Sequence, residues 1–69
     1  MAKGTVKWFN STKGYGFIQP EEGGQDVFVH ITAVERSGIG QLNENDVVHY
    51  ELVTEKGKTS ADNLKRDEG

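Results

Sequence analysis

Residues Lys13 to Ile18 read Lys-Gly-Tyr-Gly-Phe-Ile, and Val27 to His30 read Val-Phe-Val-His. Successive side chains on a strand point to opposite faces, so Tyr15 and Phe17 share one face of the first run. Phe28 and His30 share one face of the second. Ile18, Val27 and Val29 lie on the opposite faces and can supply a core. The rings are left over and face outward, where aromatic surface is a liability unless something uses it. Flat rings flanked by lysine suit the stacking of unpaired nucleic-acid bases. Trp8 and Lys7 lie just upstream, and with Val6 and Ile18 available for the core we expect Trp8 on the exposed side. Phe9 fits either the core or the edge of the ring surface.

These residues need strands to hold them. Thr5 to Asn10 is rich in β-branched and aromatic residues and ends in the turn-forming Asn10-Ser11-Thr12 cluster. Tyr15 to Gln19 forms a second strand, stopped by Pro20 and the Glu21-Glu22-Gly23-Gly24 turn. Asp26 to His30 is a third. Ile31 to Val34 has room for a single helical turn, followed by a flexible loop from Arg36 to Gly40. Asp46 to Thr54 is a fourth strand, with Val48, Tyr50 and Leu52 expected on one face before a turn at Glu55 to Lys58. Thr59 to Lys65 is the fifth, held by Ala61 and Leu64. No stretch of ten or more residues carries a convincing 3.6-residue apolar period. A flat five-stranded sheet would leave one face uncovered, so we expect the strands to close into a barrel, which also removes exposed edges. Residues 1–69 read as a single domain, with 66–69 as a frayed tail.

Bulk composition narrows the function. At 69 residues with no cysteine, the chain relies on packing rather than on disulfides or thiolate metal sites. Absence of cysteine and of an apolar leader favours the cytoplasm, and no window approaches a membrane span. The net charge of -3 argues against gripping duplex phosphates by electrostatics alone. Its distribution is uneven: residues 1–20 carry Lys3, Lys7 and Lys13 and no acid, whereas residues 21–69 carry five basic and eleven acidic side chains. A basic strip on an acidic body draws a strand to one face.

Three segments in order, Gly4-Thr5-Val6-Lys7-Trp8-Phe9-Asn10, Lys13-Gly14-Tyr15-Gly16-Phe17-Ile18 and Asp26-Val27-Phe28-Val29-His30, closely resemble the bacterial cold-shock proteins. The resemblance spans essentially the whole chain, including Leu42, Val48 and Ala61-Asp62-Asn63-Leu64. It implies an all-β, five-stranded antiparallel OB-type Greek-key barrel that binds single-stranded RNA and DNA. It also implies an ATP-independent RNA chaperone or antiterminator; a monomer acting without a cofactor is the default expectation. By resemblance Lys7, Trp8, Lys13, Tyr15, Phe17, Phe28 and His30 lie on the nucleic-acid face, with Phe9, Asn10 and Asp26 beside it. Asn10 and Asp26 are expected to bond base edges, and Gly14 and Gly16 to let the strand approach the ligand. Where the family often carries further aromatics, this chain has Ile31 and Ile39, and a glycine, Gly40, where a lysine often follows. Isoleucine packs against a base but has no π-face, so the platform is expected to be shorter or weaker. The two ring-bearing motifs also resemble those of the RNA recognition motif, but here the longer one comes first and amphipathic helices are missing.

Catalysis has little support. Glu21-Glu22 and Asp67-Glu68 sit in a turn and a tail, where burial cannot shift their pKa. Ser11, Ser37 and Ser60 lie in polar contexts without an activating base. His30 and His49 fall on different strands without ligand-spaced partners, so no metal site is expected. Gly14-Tyr15-Gly16 lacks the third glycine of a dinucleotide loop. The competing class is a barrel whose ring face docks another protein.

Overall fold

A computed structural model describes residues 1–67 of the chain. Five strands and one short helix follow in the order β1 (Ala2–Asn10), β2 (Tyr15–Pro20), β3 (Val27–His30), α1 (Ile31–Ser37), β4 (Val47–Glu55) and β5 (Lys58–Arg66). The strands close into a barrel in the order β1-β2-β3-β5-β4. β1, β2 and β3 form a meander, and β4 returns by a long connection to lie beside β1, which is a Greek key. The expectation of a purely antiparallel barrel is corrected: β3 runs parallel to β5, paired at Phe28 and Ser60. A ring of five strands cannot alternate direction all the way round, because five is odd. One parallel seam is therefore a requirement of closure, and it falls where β3 is shortest.

Inside the ring Val6, Ile18, Val29, Val48 and Tyr50 are almost completely buried, and Val27, Leu42, Ala61 and Leu64 complete the core. Burial pushes the Tyr50 hydroxyl pKa up, and the Glu22 carboxylate adds to it. Leu52 keeps the phase of Val48 and Tyr50 and pairs with the buried Ala61, yet it is 56% exposed. Two bulges reset the phase of the barrel. On β1, Val6 pairs with Ile18 but Trp8 pairs with Phe17, so Lys7 is an extra residue. Between β4 and β5, His49 pairs with Lys65 but Glu51 pairs with Asp62, which places an extra residue on β5 beside Asn63. Asn63 adopts φ 50°, a left-handed conformation that asparagine tolerates.

The helix is longer than one turn and takes in residues expected to be loop. Ala33 and Val34 plug one end of the barrel, and Gly38 caps the helix with its N–H on the Glu35 carbonyl at 3.1 Å. Ser37 Oγ donates to the Ala33 carbonyl and accepts from the Leu64 N–H, each at 2.7 Å. The bulged stretch of β5 thus finds a partner on α1. A seven-residue helix with two adjacent buried positions offers no 3.6-residue pattern to read.

Arg66 is not part of a frayed tail: it ends β5, pairs with Asp46 at 2.9 Å and bonds the Ile39 and Gln41 carbonyls. Asp67 follows, donating its N–H to the Val47 carbonyl at 3.0 Å. Glu68 and Gly69 lie outside the described residues.

The Asp67 carboxylate also meets His49 Nε2 at 3.1 Å and Lys3 Nζ at 3.6 Å. Its pKa is lowered, chiefly by the His49 hydrogen bond and further by the Lys3 charge, against a smaller opposing effect of burial. A carboxyl with a depressed native pKa contributes stability that is complete above its unfolded value and lost as pH falls through the native one. Urea unfolding between about pH 5 and pH 2 should therefore show an Asp67→Asn variant losing less stability on acidification than the unsubstituted protein. Equal losses in the two proteins would show that Asp67 contributes nothing.

Candidate nucleic-acid interface

The bulge at Lys7 sets the geometry of the ring face. Without it, Trp8 would follow Gly4 and Val6 into the core, both of which are buried. The extra residue turns Trp8 outward, to 36% exposure, and directs Phe9 toward the core, against which it packs. Register then lines up two rows across three strands. Trp8 faces Phe17 and Phe17 faces Phe28; one step along, Asn10 faces Tyr15 and Tyr15 faces His30.

The rings of both rows make one connected cluster. Trp8 lies 5.5 Å from both Tyr15 and Phe17, and Phe17 lies 5.9 Å from Phe28 in an edge-on arrangement. Tyr15 and Phe28 stack at 5.7 Å with an interplanar angle of 27°. His30 adjoins Phe28 at 6.3 Å. Centroid separations of this size are those at which aromatic pairs attract one another. The rings are consequently half-buried by their neighbours, with Trp8 and His30 the most open.

The polar candidates are more committed than the sequence suggests. Lys7 Nζ pairs with Asp26 at 3.0 Å across the edge of the face, so neither is idle. Asn10 Oδ1 accepts from the Thr12 and Lys13 N–H groups, both at 2.9 Å, which makes it the organiser of the β1–β2 turn. Lys13 is exposed at that turn and has no ion-pair partner among the described residues.

Gly16 does not open the face to a ligand. It is buried on the opposite side, where a Cβ would lie 2.4 Å from the Trp8 carbonyl oxygen and 2.7 Å from Phe9 Cα. Phe9 thus occupies the space over Gly16. Ile31 starts α1 with its N–H on the Gly14 carbonyl at 2.9 Å and is half-buried beside the β1–β2 turn. Ile39 packs partly buried against the core, and its carbonyl is held by Arg66.

Sequence reasoning missed what lies past His30. A groove between α1 and the β4–β5 hairpin begins at Phe28 and His30 and carries Arg36, Lys56 and Lys58 on its walls. Lys56 and Lys58 sit far along the chain from the ring motifs, and only barrel closure brings them near. Arg36 is paired with Asp62 at 3.1 Å. The arrangement offers flat rings for bases, bordered by cations for a phosphate backbone. Among the described residues, no group of three or more His, Asp or Glu side chains is placed to hold a metal ion.

The family model for the 'Cold-shock' DNA-binding domain matches residues 2–66. A probable cold shock protein y4cH of Sinorhizobium fredii is 61% identical over 67 residues, covering 94% of this chain and 97% of the relative. Cold shock protein CspA of Rhizobium meliloti shows the same identity and coverage. Cold shock-like protein CspE of Escherichia coli is 47% identical over 62 residues, 90% of each chain. Among solved structures, Drosophila Unr CSD456 superposes with a TM-score of 0.73 at 22% identity, over 94% of this chain and 26% of that longer one. That likeness is one of fold.

Proposed function

Because this chain belongs to the cold-shock domain family, we propose that it binds single-stranded RNA or DNA across the ring face of β1, β2 and β3 and holds the strand unpaired. The observation that carries the reading is the connected cluster of Trp8, Tyr15, Phe17, Phe28 and His30, built across three strands on the side away from the core. Bases stack on these rings, Lys7 and Lys13 meet the backbone, and Phe9, Asn10 and Asp26 support the edge. Ile31 extends the face beyond His30 as an apolar contact, and Ile39 contributes from the loop that Arg66 anchors.

The mechanism is one of mass action. Stacking competes with intramolecular pairing, and the protein shifts the equilibrium toward the open strand without ATP and without catalysing a reaction. Such activity serves as an RNA chaperone and antiterminator, regulating transcription and translation when cold stabilises hairpins. The protein acts as a monomer of one domain in the cytoplasm. No helix among the described residues is long and apolar enough to cross a membrane.

Trp8 is the only tryptophan, so its fluorescence reports on the site alone. Titration with oligouridine or oligothymidine is expected to quench it at micromolar concentrations. The salt slope is expected to be shallow, about -0.7 for each phosphate neutralised, because few lysines participate. Absence of quenching with either oligomer would favour the rival reading, in which the ring face docks a protein.

A further inference from the structure

His30 is both a member of the ring cluster and the residue that starts α1. Its backbone is extended, with φ -94° and ψ 150°, and its side chain caps the helix. The Thr32 N–H donates to His30 Nδ1 at 3.2 Å, and Thr32 Oγ1 lies 3.0 Å from the same nitrogen. A backbone amide donates and never accepts. Nδ1 therefore carries no proton in this arrangement, and in the neutral ring the proton resides on Nε2. Nε2 bonds no protein group among the described residues, and the ring is exposed beside Phe28. The ligand is thus offered a ring face and one hydrogen-bond donor, with no acceptor.

We propose that Thr32 is a positioning residue that occupies His30 Nδ1 and leaves Nε2–H facing the ligand as a donor, so that this end of the face selects a base with a carbonyl oxygen at C4, as in uracil, over one with an amino group there, as in cytosine. The inference rests on the single-strand-binding reading above. A base stacked against Phe28 presents its edge to His30. Uracil presents a carbonyl at the position where cytosine presents an amino group, and two facing donors repel. The Thr32 hydroxyl and amide act together: the amide fixes the tautomer, and the hydroxyl holds the ring in its plane. Cation attraction to phosphate is left to Lys7, Lys13 and the groove of Lys56 and Lys58.

The test combines a spectrum of the free protein with a substitution scan of the ligand. Nitrogen-15 NMR of the His30 ring at neutral pH is expected to show Nδ1 unprotonated and Nε2 protonated. Oligouridine carrying one cytidine, moved along the strand, is expected to lose affinity at one position by about fivefold, the scale of one neutral hydrogen bond. Thr32→Val should reduce that discrimination and broaden or shift the ring nitrogen signals, and Thr32→Ser should restore both. His30→Asn keeps a good helix cap and should abolish the discrimination while α1 persists. A proton found on Nδ1, or discrimination untouched by Thr32→Val or by His30→Asn, would overturn the proposal. Failure of the unsubstituted protein to bind any oligomer would instead overturn the single-strand-binding reading, leaving the tautomer result to stand alone.

Discussion

Replacing Phe28 with alanine is expected to weaken oligouridine binding by about fivefold to 150-fold, corresponding to about 1–3 kcal/mol for one stacking ring. Phe28 is the ring that ties the two rows together: it stacks on Tyr15, meets Phe17 edge-on and adjoins His30. It also stands at the mouth of the groove that carries Lys56 and Lys58. Its loss removes one platform and loosens three neighbours. The barrel itself should remain folded, because the core side of β3 is held by Val27 and Val29, which lie on the other face. Equilibrium titration paired with thermal unfolding separates the two effects. Near-wild-type affinity, or an unfolded variant, would show that Phe28 has been given the wrong role.

Gly16→Ala is expected to act in the opposite sense, on the fold first and on binding only through it. Its Cβ would press into the Trp8 carbonyl oxygen and Phe9 Cα, both fixed main-chain atoms of β1. Backbone cannot swing aside as a side chain does, so β1 and β2 must separate or the bulge must shift. Overpacking of this kind costs about 1–3 kcal/mol. For a domain of this size that lowers the melting temperature by roughly 4–24 °C. Calorimetry reads the shift directly, and an unchanged transition would mean that β1 and β2 are less tightly apposed than described. The same strand pair carries Trp8, Tyr15 and Phe17, so the stability of this contact and the order of the ring face are one property.

Much of the site was legible because period-two alternation is strong in β2 and β3. Ile18, Val27 and Val29 went to the core, while Tyr15, Phe17, Phe28 and His30 went to the other face, as their spacing predicts. Alternation failed at the bulges, which no residue type announces. Trp8 left the Val6 face because Lys7 is an extra residue, whereas Leu52 is exposed although β4 itself carries no insertion. Closure was legible in outline from the slender core and the absence of a covering helix. A parallel seam already followed from the odd number of strands expected, and only its place between β3 and β5 needed the structure. The helix was understated because its cap is a histidine rather than Ser, Thr, Asp or Asn. Arg66 looked like tail because its partners, Asp46 and the carbonyls of residues 39 and 41, are 20 or more positions away. The hydrogen bonds of Asn10 were similarly hidden: its residue type signals both a turn and a base contact, and the structure gives its Oδ1 to the turn.

The most direct test of the account is chemical-shift mapping on the folded protein as a short uridine oligomer is added. The account predicts that the largest changes fall on Trp8, Tyr15, Phe17, Phe28 and His30, with Val47, Leu52 and Glu44 on other surfaces of the barrel left almost unmoved. Changes centred on Leu52 and its neighbours in β4, or saturating oligomer with no change at the rings, would contradict it.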